Sequence, residues 1–231
     1  MDNVEFGSRL KSGIGDHDLW ALRGETITKV SAELLNVGLQ LMEHRAPGDI
    51  GHAVRTTGAL IRMLGELSTA AGRMLSGTEH YAGAALLRQV AEIEYLAWTF
   101  KDQAAINAWL ESSYADQKSV FAPEQLQRSA KGRFLQEDYL SHCEQGGHPL
   151  PRGIPLLAGM DIANAQLLLV DLLIHCWRTW NQVYKLLSSY QGVSAGQVMS
   201  ASPVTSTFAQ WGKRDPLFQL MIERLPDATE D

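Results

Sequence analysis

Apolar residues recur at intervals of three and four along most of this chain, the spacing of one face of an α-helix. The clearest run lies in the second half and contains Ile162, Leu169, Leu172, Cys176, Trp180, Val183 and Leu187. We find no convincing run of alternating β-branched residues that would predict a strand. The pattern therefore predicts an all-α fold, a multi-helix bundle of four to five long helices with short flanking helices.

Turn and capping residues divide this pattern into segments. We expect helices over about 16–45, with Asp16 or Asp18 as the cap, and over 50–75 after a cap at Asp49. Further helices are expected over about 78–101, 103–121, 135–144 and 160–190. Gly146 and Gly147 are expected to end the 135–144 helix in left-handed backbone.

The same boundaries predict a domain organisation. Residues 1–16 are expected to form a flexible arm, and residues 17–190 a helical bundle domain. Residues 191–231 are expected to be a linker and a C-terminal helical segment that packs on the bundle or on a partner.

Composition and charge exclude several classes of protein. The net charge of −6 provides no basic footprint for duplex nucleic acid or an anionic membrane. No apolar run reaches the roughly 20 residues of a membrane span, and the first residues lack the order of a signal peptide. Two cysteines are too few for a disulfide framework. We expect a soluble cytoplasmic protein.

Polar residues inside the apolar helix over 78–101 mark the first candidate site. Arg88, Glu92 and Tyr95 lie on one stripe, with Arg88 and Glu92 about 40° apart around the helix axis, whereas Glu94 lies on a different side. In one interpretation Arg88 and Glu92 form a solvated ion pair worth a few tenths of a kcal/mol. In the other they line an interhelical pocket and stay ionised for a ligand.

The stretch "YLSHCEQGGHPLPRG" (139–153) is the second candidate. His142, Cys143 and His148 are competent metal ligands, but the spacing argues against a shared ion, so no metal site is expected. A set such as His142, His148 and His175 would have to be assembled by the fold. A nucleophilic Cys143 is also disfavoured, because adjacent helical residues seldom form a Cys–His pair. The stretch is interpreted either as a structural cap or as a pocket wall in which Tyr139 and His142 reach over the Arg88–Glu92 stripe.

Asp171, His175 and Arg178 form a third, secondary set on the 160–190 helix, in line with Asn164 and Gln182. Asp171 and His175 stand one turn apart, so the carboxylate could orient the imidazole. The competing interpretation is a solvated outer face, which any amphipathic helix has.

The segments "LLRQVAEIEYLAW" (86–98) and "YLSHCEQGGHP" (139–149) resemble a large group of uncharacterised bacterial all-α proteins. The resemblance implies a bacterial source, makes Tyr139, Ser141 and His148 the counterparts of that group's Tyr/Ser/His loop, and brings no activity with it. To the HEPN class of helical ribonucleases the chain is similar only in being helical. The chain has two spacings of that class, Arg45–His52 and Arg73–His80, where roughly one is expected by chance, so the spacing carries little information and the catalytic role is not carried over.

The leading functional hypothesis is binding of a small anionic ligand or nucleotide in an interhelical pocket. The expected ligand-binding residues are Arg88, Glu92, Tyr95, Tyr139, His142 and His148. A second hypothesis is a non-enzymatic interaction or homo-oligomerisation module, with Phe208, Trp211, Leu217 and Phe218 as anchors unless they fold back on the bundle. A third is a HEPN-like RNA-cleaving toxin or defence protein. Neither a cofactor nor a reaction is indicated.

Overall fold

In a computed structural model of the chain, the described residues are 8, 10–11, 13–14, 16–45, 48–130, 132–134, 136–159, 162–190 and 194–222. All regular structure within these ranges is helical, which confirms the all-α prediction. The α-helices, numbered here in chain order, are α1 His17–Met42, α2 Gly48–Ser76, α3 His80–Thr99, α4 Gln103–Leu110, α5 Tyr114–Ser119, α6 Pro123–Ser129, α7 Gln136–His142, α8 Ile162–Ser189, α9 Ala195–Ala201, α10 Val204–Arg214 and α11 Pro216–Ile222. A π-helical turn, Cys143–Gly147, and a 3₁₀ segment, Pro151–Gly159, connect α7 to α8.

Four long helices, α1, α2, α3 and α8, form the bundle, as the hydrophobic spacing predicts. Helix α2 packs against α1, α3 and α8, and α3 also packs against α8. Their apolar faces meet in one core, in which Leu34, Leu64, Leu87 and Leu172 are completely buried. Within the described ranges, no single helix is both long and apolar enough to cross a membrane.

Glycines spaced seven residues apart bring α1 and α2 into close contact. Gly58, Gly65 and Gly72 all lie on the α2 face that meets α1. A Cβ at Gly58 would lie 2.7 Å from the Leu41 Cβ, and one at Gly65 would lie 2.8 Å from the Leu35 backbone nitrogen. Such separations are well below van der Waals contact, so the antiparallel pair can approach this closely only because these positions have no side chain.

Several helix boundaries differ from those predicted. The single helix expected over 103–121 is wrong: it is interrupted after Leu110, and α5 begins after Ser113. The Ser113 hydroxyl accepts a hydrogen bond from the Asp116 backbone N–H at 3.2 Å, and the Asp116 carboxylate accepts one from the Ser113 N–H at 3.1 Å. This reciprocal capping box gives the chain a new helix start where hydrophobic spacing alone predicts continuity.

Capping at the other long helices agrees only in part with the sequence. Asp16 caps α1, since its carboxylate accepts from the backbone N–H groups of Asp18 and Leu19. The predicted cap at Asp49 is wrong, because α2 already begins at Gly48, whose φ of 67° suits glycine.

Helix α9 and the start of α10 occupy most of "SAGQVMSASPVTST" (194–207), whose composition is typical of a linker, whereas α11 lies in the expected C-terminal helical segment. Phe208, Trp211 and Leu217 are buried in the common core, which agrees with the expectation that they fold back on the bundle. Of the predicted arm, residues 8, 10–11 and 13–14 are helical, and the positions 1–7, 9, 12 and 15 lie outside the described residues.

A buried ion pair ties the C-terminal segment to α1. Arg23 and Asp215 have fully buried side chains and make two contacts, Nε to Oδ2 at 2.7 Å and Nη2 to Oδ1 at 2.8 Å. Arg23 also donates to the Gln166 Oε1 of α8 and to the Gly13 carbonyl. The Arg23 guanidinium of α1 therefore links three parts of the chain to one another: α8, the segment after α10 and the residues near Gly13.

Candidate metal centre

Two imidazoles and one carboxylate meet inside the bundle between α7 and α8. The Nε2 atoms of His142 and His175 are 3.2 Å apart. The Asp171 carboxylate lies 3.4 Å from the His142 Nε2 through Oδ2, and 3.5 Å from the His175 Nε2 through Oδ1. The side chains of His142 and His175 are 3% and 1% exposed and that of Asp171 is 13% exposed, so the cluster is shielded from bulk water on most sides.

Local structure explains why these residues converge. Asp171 and His175 are one helical turn apart on α8 and therefore share a face. His142 ends α7, immediately before the π-helical turn. Gly146 in that turn sits directly on α3, where an added Cβ would collide with the backbone of Ala84 and Ala85. This close approach holds the end of α7, and with it His142, against the bundle.

The glycines in this turn do not act as predicted. Among the described glycines, positive φ angles occur at Gly48 and Gly132, so left-handed backbone at Gly146 or Gly147 is not what ends the helix. Gly146 is required for close packing instead.

Glu94 of α3 contacts His175 at the ring nitrogen that does not face His142. Its Oε2 lies 2.5 Å from the Nδ1 of His175, and its Oε1 lies 2.8 Å from the Nε of Arg178. Because an ionised carboxylate only accepts hydrogen bonds, a hydrogen bond between these two groups requires the proton to be on the His175 Nδ1, which then donates the bond to Glu94. The Nε2 of a neutral His175 then presents its lone pair toward His142 and Asp171. Metal-binding histidines in proteins are oriented in the same way.

The spacing of the three side chains suits a small cation. Zinc–nitrogen bonds of roughly 2.0–2.1 Å in a tetrahedral site place ligand atoms about 3.3 Å apart. The three separations here are 3.2, 3.4 and 3.5 Å. Among the described residues, one group has ligand atoms close enough to one another to bind a single ion, and it consists of His142, Asp171 and His175.

The predicted stripe lies on a different face of α3 from Glu94. Arg88 and Glu92 pair at 3.0 Å, and their side chains are 26% and 27% exposed. The Arg88 guanidinium lies 6.0 Å from the centre of the Tyr139 ring, and an added Cβ at Gly147 would lie 2.8 Å from the Arg88 Cδ. The pair is therefore half-buried and lies next to the 139–153 stretch.

Electrostatics and burial shift the pKa values of two groups here, Arg88 and Tyr139. Burial disfavours the charged form of Arg88, but Glu92, Tyr139 and Cys143 outweigh it, so the pKa of Arg88 is raised. Burial also raises the pKa of the Tyr139 phenol to about 12, with Cys143 adding to the shift. At neutral pH Arg88 is therefore a cation and Tyr139 a neutral hydrogen-bonding group.

The remaining candidates are separated by the fold. Tyr95 is completely buried in a small second core, where its ring centre lies 4.3 Å from that of Phe134 and 6.0 Å from that of Tyr139. His148 is exposed, and its backbone carbonyl accepts a hydrogen bond from the Tyr81 hydroxyl at 3.2 Å. Of the six expected ligand-binding residues, His142 is the one that joins the buried cluster.

The secondary set is where the structure departs most from the sequence interpretation. The interpretation of Asp171, His175 and Arg178 as a solvated outer face is wrong for His175, which is buried. The carboxylate that accepts from His175 Nδ1 is Glu94, a residue not assigned to any candidate site. One signal was present, because Glu94 follows Leu87 and Ala91 at helical spacing and therefore lies on the buried line of α3.

No family model, curated protein or solved structure matches this chain. The resemblance to uncharacterised bacterial proteins therefore stays a prediction.

Proposed function

We propose that this chain binds one divalent transition-metal ion through the Nε2 atoms of His142 and His175 and the carboxylate of Asp171. The observation that supports it is the approach of the two imidazole nitrogens to 3.2 Å, with the same carboxylate within 3.5 Å of both. This proposal departs from the expectation of no metal site, which rested on sequence spacing alone.

The donor set favours particular ions. Two imidazoles and one carboxylate suit zinc, iron, cobalt or nickel, whereas magnesium and calcium prefer oxygen donors throughout. Structural zinc sites usually have four protein ligands, while catalytic sites have three and leave a position for water or substrate. With three ligands, the centre proposed here belongs to the second type and can polarise a ligand bound at the open position.

The outer contacts support the same assignment. Glu94 holds the protonated Nδ1 of His175, and Arg178 in turn pairs with Glu94. The Arg178 guanidinium lies 5.2 Å from the centre of the Phe134 ring, which restricts its movement. A ligand imidazole oriented in this way needs little reorganisation when an ion binds.

Equilibrium dialysis of the full chain against zinc and cobalt, with metal content measured by mass spectrometry, tests the proposal. We expect one ion per chain. The variant His175→Ala should bind the metal more weakly, because it removes a ligand. This loss of affinity should exceed the roughly 10- to 100-fold that removal of an outer-sphere partner costs. His52→Ala, which removes an exposed histidine of α2, is the matched control and should bind normally. If the full chain and His175→Ala bind equally, the proposal is wrong.

A second candidate function is the binding of a small anionic ligand or nucleotide at Arg88. The half-buried, charged guanidinium beside the 139–153 stretch favours it, although Glu92 already neutralises part of its charge. Calorimetric titration with nucleoside mono- and triphosphates tests this function. Binding lost in Arg88→Gln and kept in Arg62→Gln, an exposed arginine of α2, would support it. Equal binding by both variants would contradict it.

Oligomerisation through the C-terminal segment and RNA cleavage stay predictions that no feature of the site favours. Phe208, Trp211 and Leu217 are buried within the chain itself, so they are not available as anchors for a partner. His80 of the Arg73–His80 spacing is buried, and its Nε2 contacts the Gly77 carbonyl at 2.9 Å. That contact gives His80 a structural role at the start of α3.

A further inference from the structure

We infer that the outer face of the 3₁₀ segment Pro151–Gly159 is a contact surface for a second copy of this chain. Among the described residues thirteen large hydrophobic side chains are exposed, and five of these lie within 140–162. The five are Leu140, Leu150, Ile154, Leu157 and Ile162. Exposed apolar side chains that are concentrated in one region, unlike isolated ones, are typical of an interaction surface.

The geometry of the 3₁₀ segment explains why part of this group faces outward. A 3₁₀ helix has three residues per turn, so residues three positions apart share a face. Gly153 and Leu156 form the buried face. Ile154 and Leu157 form the outer face and are 58% and 48% exposed. An added Cβ at Gly153 would overlap the ring of Tyr81, so the segment is packed too closely there to rotate and bury Ile154 instead.

Two prolines make this face rigid. Pro151 and Pro155 are both exposed, and each fixes its backbone φ angle. Neither has a backbone N–H group that would need a partner once the surface is covered. Association through this face therefore costs little additional ordering of the backbone.

Charges beside this face favour a second copy over a different partner. Arg152 and Glu144 pair with each other there and are 71% and 39% exposed. In a two-fold symmetric contact the same surface meets itself, so Arg152 of each copy can pair with Glu144 of the other. A uniformly acidic or basic partner would gain one attraction and meet one repulsion. The net charge of −6 disfavours an anionic membrane as the occupant.

Sedimentation velocity of the full chain, over a concentration series that extends through the micromolar range, tests the inference. We expect a monomer–dimer equilibrium. Ile154→Asp places an unpaired charge in the contact and should raise the dissociation constant of the dimer more than tenfold, with an unchanged circular dichroism spectrum because the side chain is exposed. Val120→Asp, at an apolar side chain of similar exposure, 52%, is the matched control and should dimerise like the parent chain. A parent chain that stays monomeric, or an equal effect of the two substitutions, overturns the inference.

Charge reversal tests the two-fold pairing itself. Arg152→Glu alone places like charges opposite each other at two points of the dimer, and so does Glu144→Arg alone, so each variant should dimerise more weakly than the parent chain. In an equal mixture the two variants present opposite charges to each other at both points, and dimers should form again. If the mixture dimerises no better than the separate variants, the inference is wrong. A monomeric chain that binds phosphatidylcholine vesicles, and loses this binding in Ile154→Asp, would assign the face to a membrane and likewise overturn it.

Discussion

Asp215→Asn is the substitution for which the structure gives the clearest stability prediction. Asp215 contacts Arg23 through both carboxylate oxygens, and the side chains of both residues are completely buried. Asparagine keeps the shape of the side chain and removes its charge. The substitution therefore leaves the Arg23 guanidinium in the interior without its counter-ion.

The expected cost is large for this reason. Removing one partner of a buried ion pair destabilises a protein by about 3–5 kcal/mol, because the remaining charge is uncompensated. Asp215 also accepts hydrogen bonds from the Trp211 indole N–H at 2.9 Å and from the Leu217 backbone N–H at 3.0 Å. The single carbonyl oxygen of asparagine replaces these contacts only in part. A domain is stable by about 5–15 kcal/mol in total, so we expect the substitution to remove about a fifth of that stability or more.

Urea unfolding followed by tryptophan fluorescence measures this loss. The control is Glu66→Gln, whose partner Arg62 is 41% exposed, and it should change the free energy of unfolding by less than about 1 kcal/mol. The double variant Arg23→Met/Asp215→Leu should recover much of the loss, because it leaves no buried charge. If Asp215→Asn costs no more than the Glu66→Gln control, the reasoning fails.

Three further predictions follow from packing and from raised pKa values. Gly65→Ala should lower the free energy of unfolding by about 1–3 kcal/mol, since its methyl group would overlap the α1 backbone; an unchanged urea midpoint would contradict the close contact. A thiol reagent should modify the half-buried Cys143 in the folded chain and leave Cys176 unmodified until unfolding, because burial raises the pKa of Cys176 to about 12; rapid loss of two thiols would contradict this. Burial likewise raises the pKa of Tyr139 to about 12, so its contribution to stability should be complete below the unfolded value of about 10 and be lost as the pH rises through the folded value. Ultraviolet titration of Tyr139→Phe against the parent chain should identify this late-ionising phenol, and its ionisation near pH 10 would contradict the assignment.

The fold was predictable because residues that are buried in a helical bundle recur every three or four positions along the sequence. Helices α1, α2, α3 and α8 follow from that spacing alone. The break at Ser113 does not follow from the spacing. Capping hydrogen bonds start a new helix there although the apolar pattern continues. The seven-residue glycine spacing in α2 was visible in the sequence, but its meaning depends on which helix packs against it.

The proposed centre was only partly predictable, because sequence spacing identifies only those neighbouring residues that lie on the same helix. Asp171 and His175 could be paired from the sequence, since they are one turn apart on α8. Glu94 is separated from His175 by 81 positions and His142 by 33, and only the packing of α3 and α7 on α8 brings them together. His175, on the polar line of α8, is then buried inside the protein, where an isolated amphipathic helix would expose it.

The position of the ligands along the chain has a consequence for biosynthesis. During translation Glu94 and His142 leave the ribosome before α8, which supplies both Asp171 and His175. On the proposed assignment, a nascent chain that ends before Ile162 has one ligand and cannot capture the ion. Metal uptake then requires that α8 has been synthesised, because binding needs ligands from both α7 and α8.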